Sequence, residues 1–235
     1  MSDLILQQLE TGPMANYVYV IGSRRTRECL LIDPAWDIDG LLAHLDREGL
    51  TLKGALATHY HPDHIGGRIF GLDIEGLPAL MTRRPVPVHV NKHEADGVAQ
   101  VTGLSRTDLV THEGGDTIEL GDVTIRLMHT PGHTPGSQCF YVERGGPEQA
   151  VVSGDTLFIG ACGRVDLPGG DPKALYESLT QKLAALPAGT VLYPGHNYAE
   201  RPTSTIGDQM QTNQFMRMRS FDDWKRLMGV GRMGG

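Results

Sequence analysis

His59, His61, Asp63 and His64 fall within one short run, Thr58-His-Tyr-His-Pro-Asp-His64. Imidazole nitrogens and carboxylate oxygens are the donors that borderline divalent cations take. Four of them on one turn would be a costly place for unpaired polar groups, so the run reads as a metal site. Further donors stand downstream: His133 in His129-Thr-Pro-Gly-His-Thr-Pro-Gly136, Asp155 in Ser153-Gly-Asp-Thr-Leu-Phe158, and His196 in Pro194-Gly-His-Asn-Tyr198. Each follows a glycine, which lets the backbone turn sharply where a loop leaves a strand. A single His or Asp in a turn is commonly structural; the combination carries the reading. Two divalent cations about 3.5–4 Å apart would lower the pKa of a shared water from 15.7 toward about 7, orient a carbonyl and stabilise the oxyanion that develops on it. No Ser or Cys nucleophile is then needed, and a Gly-x-Ser-x-Gly elbow is absent.

The elements that must position these residues alternate in type. Strand-like runs cover 4–9, 17–21 and 29–32, followed by a helix from Asp37 to Glu48 with Leu41, Leu42 and Leu45 on one face and Gly49 as its stop. Residues 54–57 form a short buried strand that delivers the histidine run, Pro62 suits a first helical turn, and Ile65-Gly-Gly-Arg68 is expected to open a helix. The stretch Phe70 to Arg84 lacks periodicity and reads as a loop or lid. Strands are expected at 86–90, 137–142, 150–153 and 190–193, a helix at 91–100, and a hairpin of 117–120 with 123–128 around Gly121-Asp122. A helix capped by Asp171 and opened by Pro172 carries Leu175, Leu179, Leu183 and Leu186. Ser220 to Met228 reads as a last helix, with Ser220 and Asp223 in capping-box spacing and Gly229 as stop, before a fraying end at 231–235. This is an α+β pattern, an αββα four-layer sandwich in which ligands from both halves converge at one sheet edge.

The ordered set His-x-His-x-Asp-His, then His133, Asp155 and His196, resembles the metallo-β-lactamase superfamily over nearly all of residues 1 to 200. The resemblance implies two divalent ions, zinc foremost with iron or manganese as alternatives. It implies that His59, His61 and His133 bind the first and Asp63, His64 and His196 the second. Asp155 would bridge them, and Asp63 and Asp155 would orient a bridging hydroxide. Residues 1–200 would form the hydrolase domain and 201–235 a short helical extension packed on it. Within the superfamily, Gly154-Asp-Thr-Leu-Phe-Ile-Gly-Ala-Cys-Gly-Arg164, Thr58 to Gly67 and Gly195-His-Asn-Tyr198 look similar to the hydroxyacylglutathione hydrolases, the glyoxalase II group. By that resemblance Arg164 and Tyr198 would hold substrate, a guanidinium being a good carboxylate partner. Asp166 stands where that group usually places an aromatic contact, and the tail after His196 is shorter than its helical domain; both bear on glutathione recognition.

The expected activity is therefore hydrolysis of a thioester or related activated acyl compound. Persulfide dioxygenases, which share the fold and a Cys-Gly-Arg-x-Asp stretch like Cys162 to Asp166, are the first alternative. There one iron would be held by His59, His133 and Asp155; Pro62 and Ile65-Gly-Gly67 look more hydrolase-like. A lactonase presents the same ester geometry, and a metal-binding module without turnover is the alternative from outside enzymology.

Composition narrows the partners to a small-molecule substrate. The formal charge of −7 disfavours nucleic acid, which calls for a Lys/Arg surplus on some face. Forty per cent apolar residues can fill a core, and no apolar run approaches the ~20 residues of a membrane span. Three scattered cysteines favour a reducing compartment, and the first ten residues lack the basic and apolar regions of an export signal, so a cytoplasmic enzyme is expected. A homodimer is compatible with these features. Met210, Met216, Met218 and Met228 read as packing residues, His129 and Thr130 as loop support, and His44, His89, His93 and His112 as solvent-facing.

Overall fold

The computed structural model describes residues 3–144 and 149–229. Its first half runs β1 (Leu4–Thr11), β2 (Asn16–Ser23), β3 (Glu28–Ile32), α1 (Ile38–Arg47), β4 (Thr51–Leu56), α2 (Pro62–Ile65), β5 (Gly67–Ile69), β6 (Leu72–Ile74), α3 (Leu77–Arg83), β7 (Val88–Asn91), α4 (Ala95–Thr102) and β8 (Leu109–His112). The second runs β9 (Thr117–Leu120), β10 (Val123–His129), β11 (Gln138–Arg144), β12 (Ala150–Gly154), β13 (Leu157–Phe158), β14 (Ala161–Cys162), α5 (Pro172–Glu177), β15 (Val191–Pro194), β16 (Ser204–Thr205), α6 (Ile206–Thr212), α7 (Gln214–Arg217) and α8 (Phe221–Leu227). Two six-stranded sheets result, in the orders β1-β2-β3-β4-β7-β8 and β16-β15-β12-β11-β10-β9. The first is antiparallel through β3 and parallel beyond it.

Strand alternation builds the layers. On β2, Tyr17, Tyr19 and Ile21 point to the second sheet and meet Ile125, Leu127, Phe140 and Val152, whereas Val18 and Val20 point the other way, to Ile38, Leu41 and Leu45 of α1. All eight β2 residues are buried because the strand is covered on both faces. The outer face of the second sheet, through Cys139, Tyr141, Val151 and Leu192, packs on Leu175, Leu179, Leu183, Ile206, Met216 and Trp224. The expected four-layer sandwich is the observed one. Asp37 caps α1 by accepting from Gly40 N–H at 2.8 Å, and Asp171 caps α5 through Lys173 and Ala174 N–H. Past Glu177, α5 loosens into a wide π turn and a final 3₁₀ turn, and Leu179 and Leu183 stay buried.

Several expectations are corrected. The helix near the histidines is Pro62–Ile65; Gly66, at φ +86°, ends it, and Gly67 begins β5 rather than a helix. Phe70 to Arg84 is not a loop: β6 and then α3 occupy it, with Pro78 in the first turn and Leu77 and Leu80 buried. Two buried leucines on two turns are too few to produce a periodic signal. The strands leading to the ligands, β4, β10, β12 and β15, lie inside their sheets, so the ligands gather at the rim of strand ends and not along an edge strand. Met210 is exposed, while Met216 joins the core. The fraying expected at 231–235 lies outside the described residues. Among the described residues no helix is long and apolar enough to cross a membrane.

Three of the four histidines assigned to solvent are partly buried. His44 Nε2 lies 2.8 Å from Gln7 Oε1, and His89 Nδ1 lies 2.9 Å from His112 Nε2 across β7 and β8. His93 is exposed and stacks on His129. Burial, with His112 beside it, pushes His89 down to about 4. The folded state therefore resists a proton that the unfolded chain accepts below about pH 6.5. Stability is expected to fall as pH drops from about 6.5 to 4, by about 2 kcal/mol after allowing for the ring's partial exposure. Urea titrations of wild type and His89→Gln at pH 7.5 and 4.5 check this; an equal acid loss in both would contradict it.

Candidate metal centre

Each donor follows the end of a buried strand. β4 leads through Ala57 and Thr58 to His59 and His61, and α2 carries Asp63 and His64. β10 leads to His133, β12 to Asp155 and β15 to His196. Gly195 allows the last two to meet, since a Cβ there would come within 2.4 Å of Asp155 Oδ1. The backbone closes the rim: Tyr17 N–H donates to Gly195 O at 2.8 Å, and Gln138 N–H donates to Thr58 O at 3.0 Å.

Hydrogen bonds fix the tautomers. Carbonyl and carboxylate oxygens only accept, so Nδ1 carries the proton in His64 toward Asp33 (2.9 Å), in His133 toward the Arg164 carbonyl (2.8 Å) and in His196 toward the Met14 carbonyl (3.0 Å). The Thr58 hydroxyl donates to Asp33 Oδ2 at 2.6 Å, so His59 Nδ1–H donates to Thr58 Oγ1 at 3.0 Å. In the neutral rings all four Nε2 atoms are left as lone pairs. His59 Nε2 is buried with no hydrogen-bond partner, as is Asp155 Oδ1. His64 Nε2 and His196 Nε2 face each other at 3.1 Å, and His61 Nδ1 faces His133 Nε2 at 3.0 Å. Opposed lone pairs at such distances repel unless a cation or proton lies between them.

Two triads are thereby assembled, His59 with His61 and His133, and Asp63 with His64 and His196, the donor atoms of each lying within 4.8 Å of one another. Asp155 stands between them: Oδ1 is 3.3 Å from His64 Nε2 and 3.5 Å from His196 Nε2, and Oδ2 is 3.6 Å from His133 Nε2. Electrostatics agree with a cation-holding site. Burial keeps His59 and His61 easily deprotonated, His61 down to about 4. Burial opposes protonation of His64 and His196 too, but Asp63 and Asp155 overcome it and raise His196 to about 9. Burial also works against ionising Asp63 and Asp155, yet the neighbouring His64 and His196 hold both well below the usual carboxylate range. The donor set, the orphaned nitrogen and the two ionised carboxylates fit divalent ions.

The structure thus brings all seven sequence-predicted donors into one cluster and adds supports that the sequence reading missed. His129 bonds the Pro135 carbonyl within the loop that carries His133, and Thr130 bonds Thr156, the loop support expected of them. A further support is Asp33, whose Oδ1 accepts from Thr58 N–H at 2.7 Å while Oδ2 serves Thr58 and His64. Its signal was an Asp directly after the buried run of β3. Asn16 Nδ2 donates to Asp63 Oδ2 at 2.9 Å, and Trp36 Nε1 fixes that amide by donating to Asn16 Oδ1 at 3.0 Å. Asp33 and Trp36 both sit at positive φ, +54° and +74°, which places backbone strain at the site. Asp33→Asn is expected to weaken zinc binding about 10–100-fold at both triads, because it disturbs His64 directly and His59 through Thr58. Competition against a chelator measures this, and unchanged affinity would refute the role.

Arg164 does not stand free: its Nε and Nη2 both bond Asp166 at 2.7 Å, on the loop whose backbone holds His133. Tyr198 is 62 % exposed and stacks on His196 at 4.6 Å. Phe158, missed in the sequence, packs 5.4 Å from Tyr198 and 5.9 Å from His196, completing an aromatic wall.

The sequence pattern of the Metallo-beta-lactamase superfamily matches residues 11–196, from the end of β1 through the last histidine. The chain belongs to this superfamily. Among superfamily relatives, the mitochondrial persulfide dioxygenase ETHE1 of Homo sapiens is 31% identical over 96% of this chain and 81% of its own length. The hydroxyacylglutathione hydrolase of Nitrosococcus oceani is 33% identical over 90% of this chain and 73% of its own length. The crystal structure of ETHE1 from Myxococcus xanthus superposes with a TM-score of 0.79 at 29% identity, covering 98% of this chain and 92% of that one. The superfamily assignment and the fold expected from the ligand pattern are both upheld. Two branches of the family are matched about equally, so likeness to the glyoxalase II group is not exclusive.

Proposed function

We propose that the protein is a binuclear metal-dependent hydrolase of a thioester or related activated acyl substrate. The observation that carries this reading is the pair of inward-facing triads with one oxygen of Asp155 turned to each. His59, His61 and His133 would hold the first ion, and Asp63, His64 and His196 the second. When bound, two such ions acidify water and polarise a carbonyl. Residues of this chain do the remaining work. Asp63 and Asp155, ionised at neutral pH, accept hydrogen bonds from the attacking water and orient it, and the proton it loses ends on the departing thiolate. Water adds to the acyl carbon, the carbon–sulfur bond breaks, and acid and thiol leave. Phe158 and Tyr198 wall the entrance, and Arg164 can exchange Asp166 for a substrate carboxylate at the exposed mouth. Residues 1–200 would form the hydrolase unit and 201–235 its extension.

A second reading, a persulfide dioxygenase with one iron on His59, His133 and Asp155, is favoured by Cys162-Gly-Arg-x-Asp166 and by the 31% identity to a persulfide dioxygenase. Elemental analysis of protein purified without added metal separates the two, read alongside hydrolysis of S-lactoylglutathione and oxygen uptake with glutathione persulfide. Two ions with hydrolysis support the first reading. One iron with oxygen consumption would reject it.

A further inference from the structure

Glu94 belongs to neither triad, yet its side chain is 0 % exposed where α4 begins. Burying a carboxylate costs several kcal/mol unless its oxygens are bonded. Oε1 accepts from the Tyr60 backbone N–H at 3.2 Å and from the Thr134 hydroxyl, and Oε2 accepts from the Gly136 backbone N–H at 3.0 Å. Tyr60 separates His59 from His61, and Thr134 and Gly136 follow His133 on its loop. Every bond of this buried group therefore goes to the two segments that supply the first triad. The second triad has other supports: Asn16 on Asp63, Asp33 on His64 and the Met14 carbonyl on His196. Close packing adds to the clamp, since a Cβ on Gly136 would lie 2.6 Å from Glu94 N.

We infer that Glu94 is a positioning residue of the first cation position, tying the β4 and β10 loops into one rigid unit so that His59, His61 and His133 converge. The inference rests on the proposed metal centre but not on which reaction it runs. Glu94→Gln keeps the volume and one acceptor but turns an amide donor toward a backbone N–H. Zinc affinities of both positions are to be measured by chelator competition, the two phases assigned with His61→Ala and His196→Ala. In Glu94→Gln, affinity at the first position is expected to fall about 10–100-fold while that of the second stays within about twofold. The ratio of the two affinities is the readout, because a general loosening of the fold would lower both together. An unchanged ratio overturns the inference while leaving the metal centre intact. A wild type that takes up no zinc overturns the functional reading and this inference with it. Should Glu94→Gln not fold, Thr134→Val, which removes the hydroxyl donor alone, must shift the ratio in the same direction by several-fold, and no shift there overturns the inference.

Discussion

On the binuclear hydrolase reading, asparagine in place of Asp155 is expected to lower kcat/KM for thioester hydrolysis by about a thousandfold, roughly 4 kcal/mol of transition-state stabilisation, and to reduce the bound metal from two ions to at most one. Asp155 faces both triads, with Oδ1 3.3 Å from His64 Nε2 and Oδ2 3.6 Å from His133 Nε2. Asparagine has nearly the same shape but replaces one anionic oxygen with an N–H donor. One triad then meets a donor where it needs an acceptor, and the centre loses a negative charge that offsets bound cations. Burial works against the ionised Asp155 in the native protein, and His64 and His196 hold it ionised nonetheless, so the charge removed is one that the site maintains at a cost. Elemental analysis of the dialysed variant and steady-state kinetics check the outcome. Two retained ions with near-native turnover would contradict the bridging role of Asp155.

Trp224→Ala is expected to destabilise the fold by about 4 kcal/mol and to lower Tm by about 10 °C. The indole is fully buried at the second sheet's outer layer. It lies among Tyr176, Phe221 and Phe215 at ring distances of 6.0, 6.4 and 6.2 Å, and donates to the Phe215 carbonyl at 3.2 Å. Alanine would leave a large void between α5, α7 and α8 and an unpaired carbonyl. The first turn of α5 also meets the ligand rim, where Asp171 N–H donates to Gly132 O at 2.8 Å beside His133. Thermal unfolding measures the loss, and a shift below about 3 °C would mean that the C-terminal helices contribute little to the cooperative unit.

The candidate metal donors were legible because they carry a local signal: ligand chemistry at fixed short spacing, or a His or Asp directly after a glycine at a strand end. Most strands were legible for a similar reason, since both faces of β2, β3 and β12 are covered and apolar residues run without interruption. The capped helices α1 and α5 announced themselves through Asp37, Asp171 and Pro172. Short elements did not. α3 buries only Leu77 and Leu80, and the hairpin of β5 and β6 is set by the turn at Phe70-Gly71, so neither leaves a periodic trace. His44, His89 and His112 looked like surface residues because their partners lie 37 and 23 positions away.

What this sequence determined by itself was the kind of chemistry and the layered sheet architecture, because donor type, donor spacing and strand patterning are properties of neighbouring residues. What only the tertiary structure decided was how each donor is aimed. Asp33 meets His64 across 31 positions, Asn16 meets Asp63 across 47, and Glu94 meets Thr134 across 40. A hydrogen bond of that kind depends on which strand ends share one rim of the sandwich, and long-range register of that sort leaves no mark on the residues adjacent in the chain.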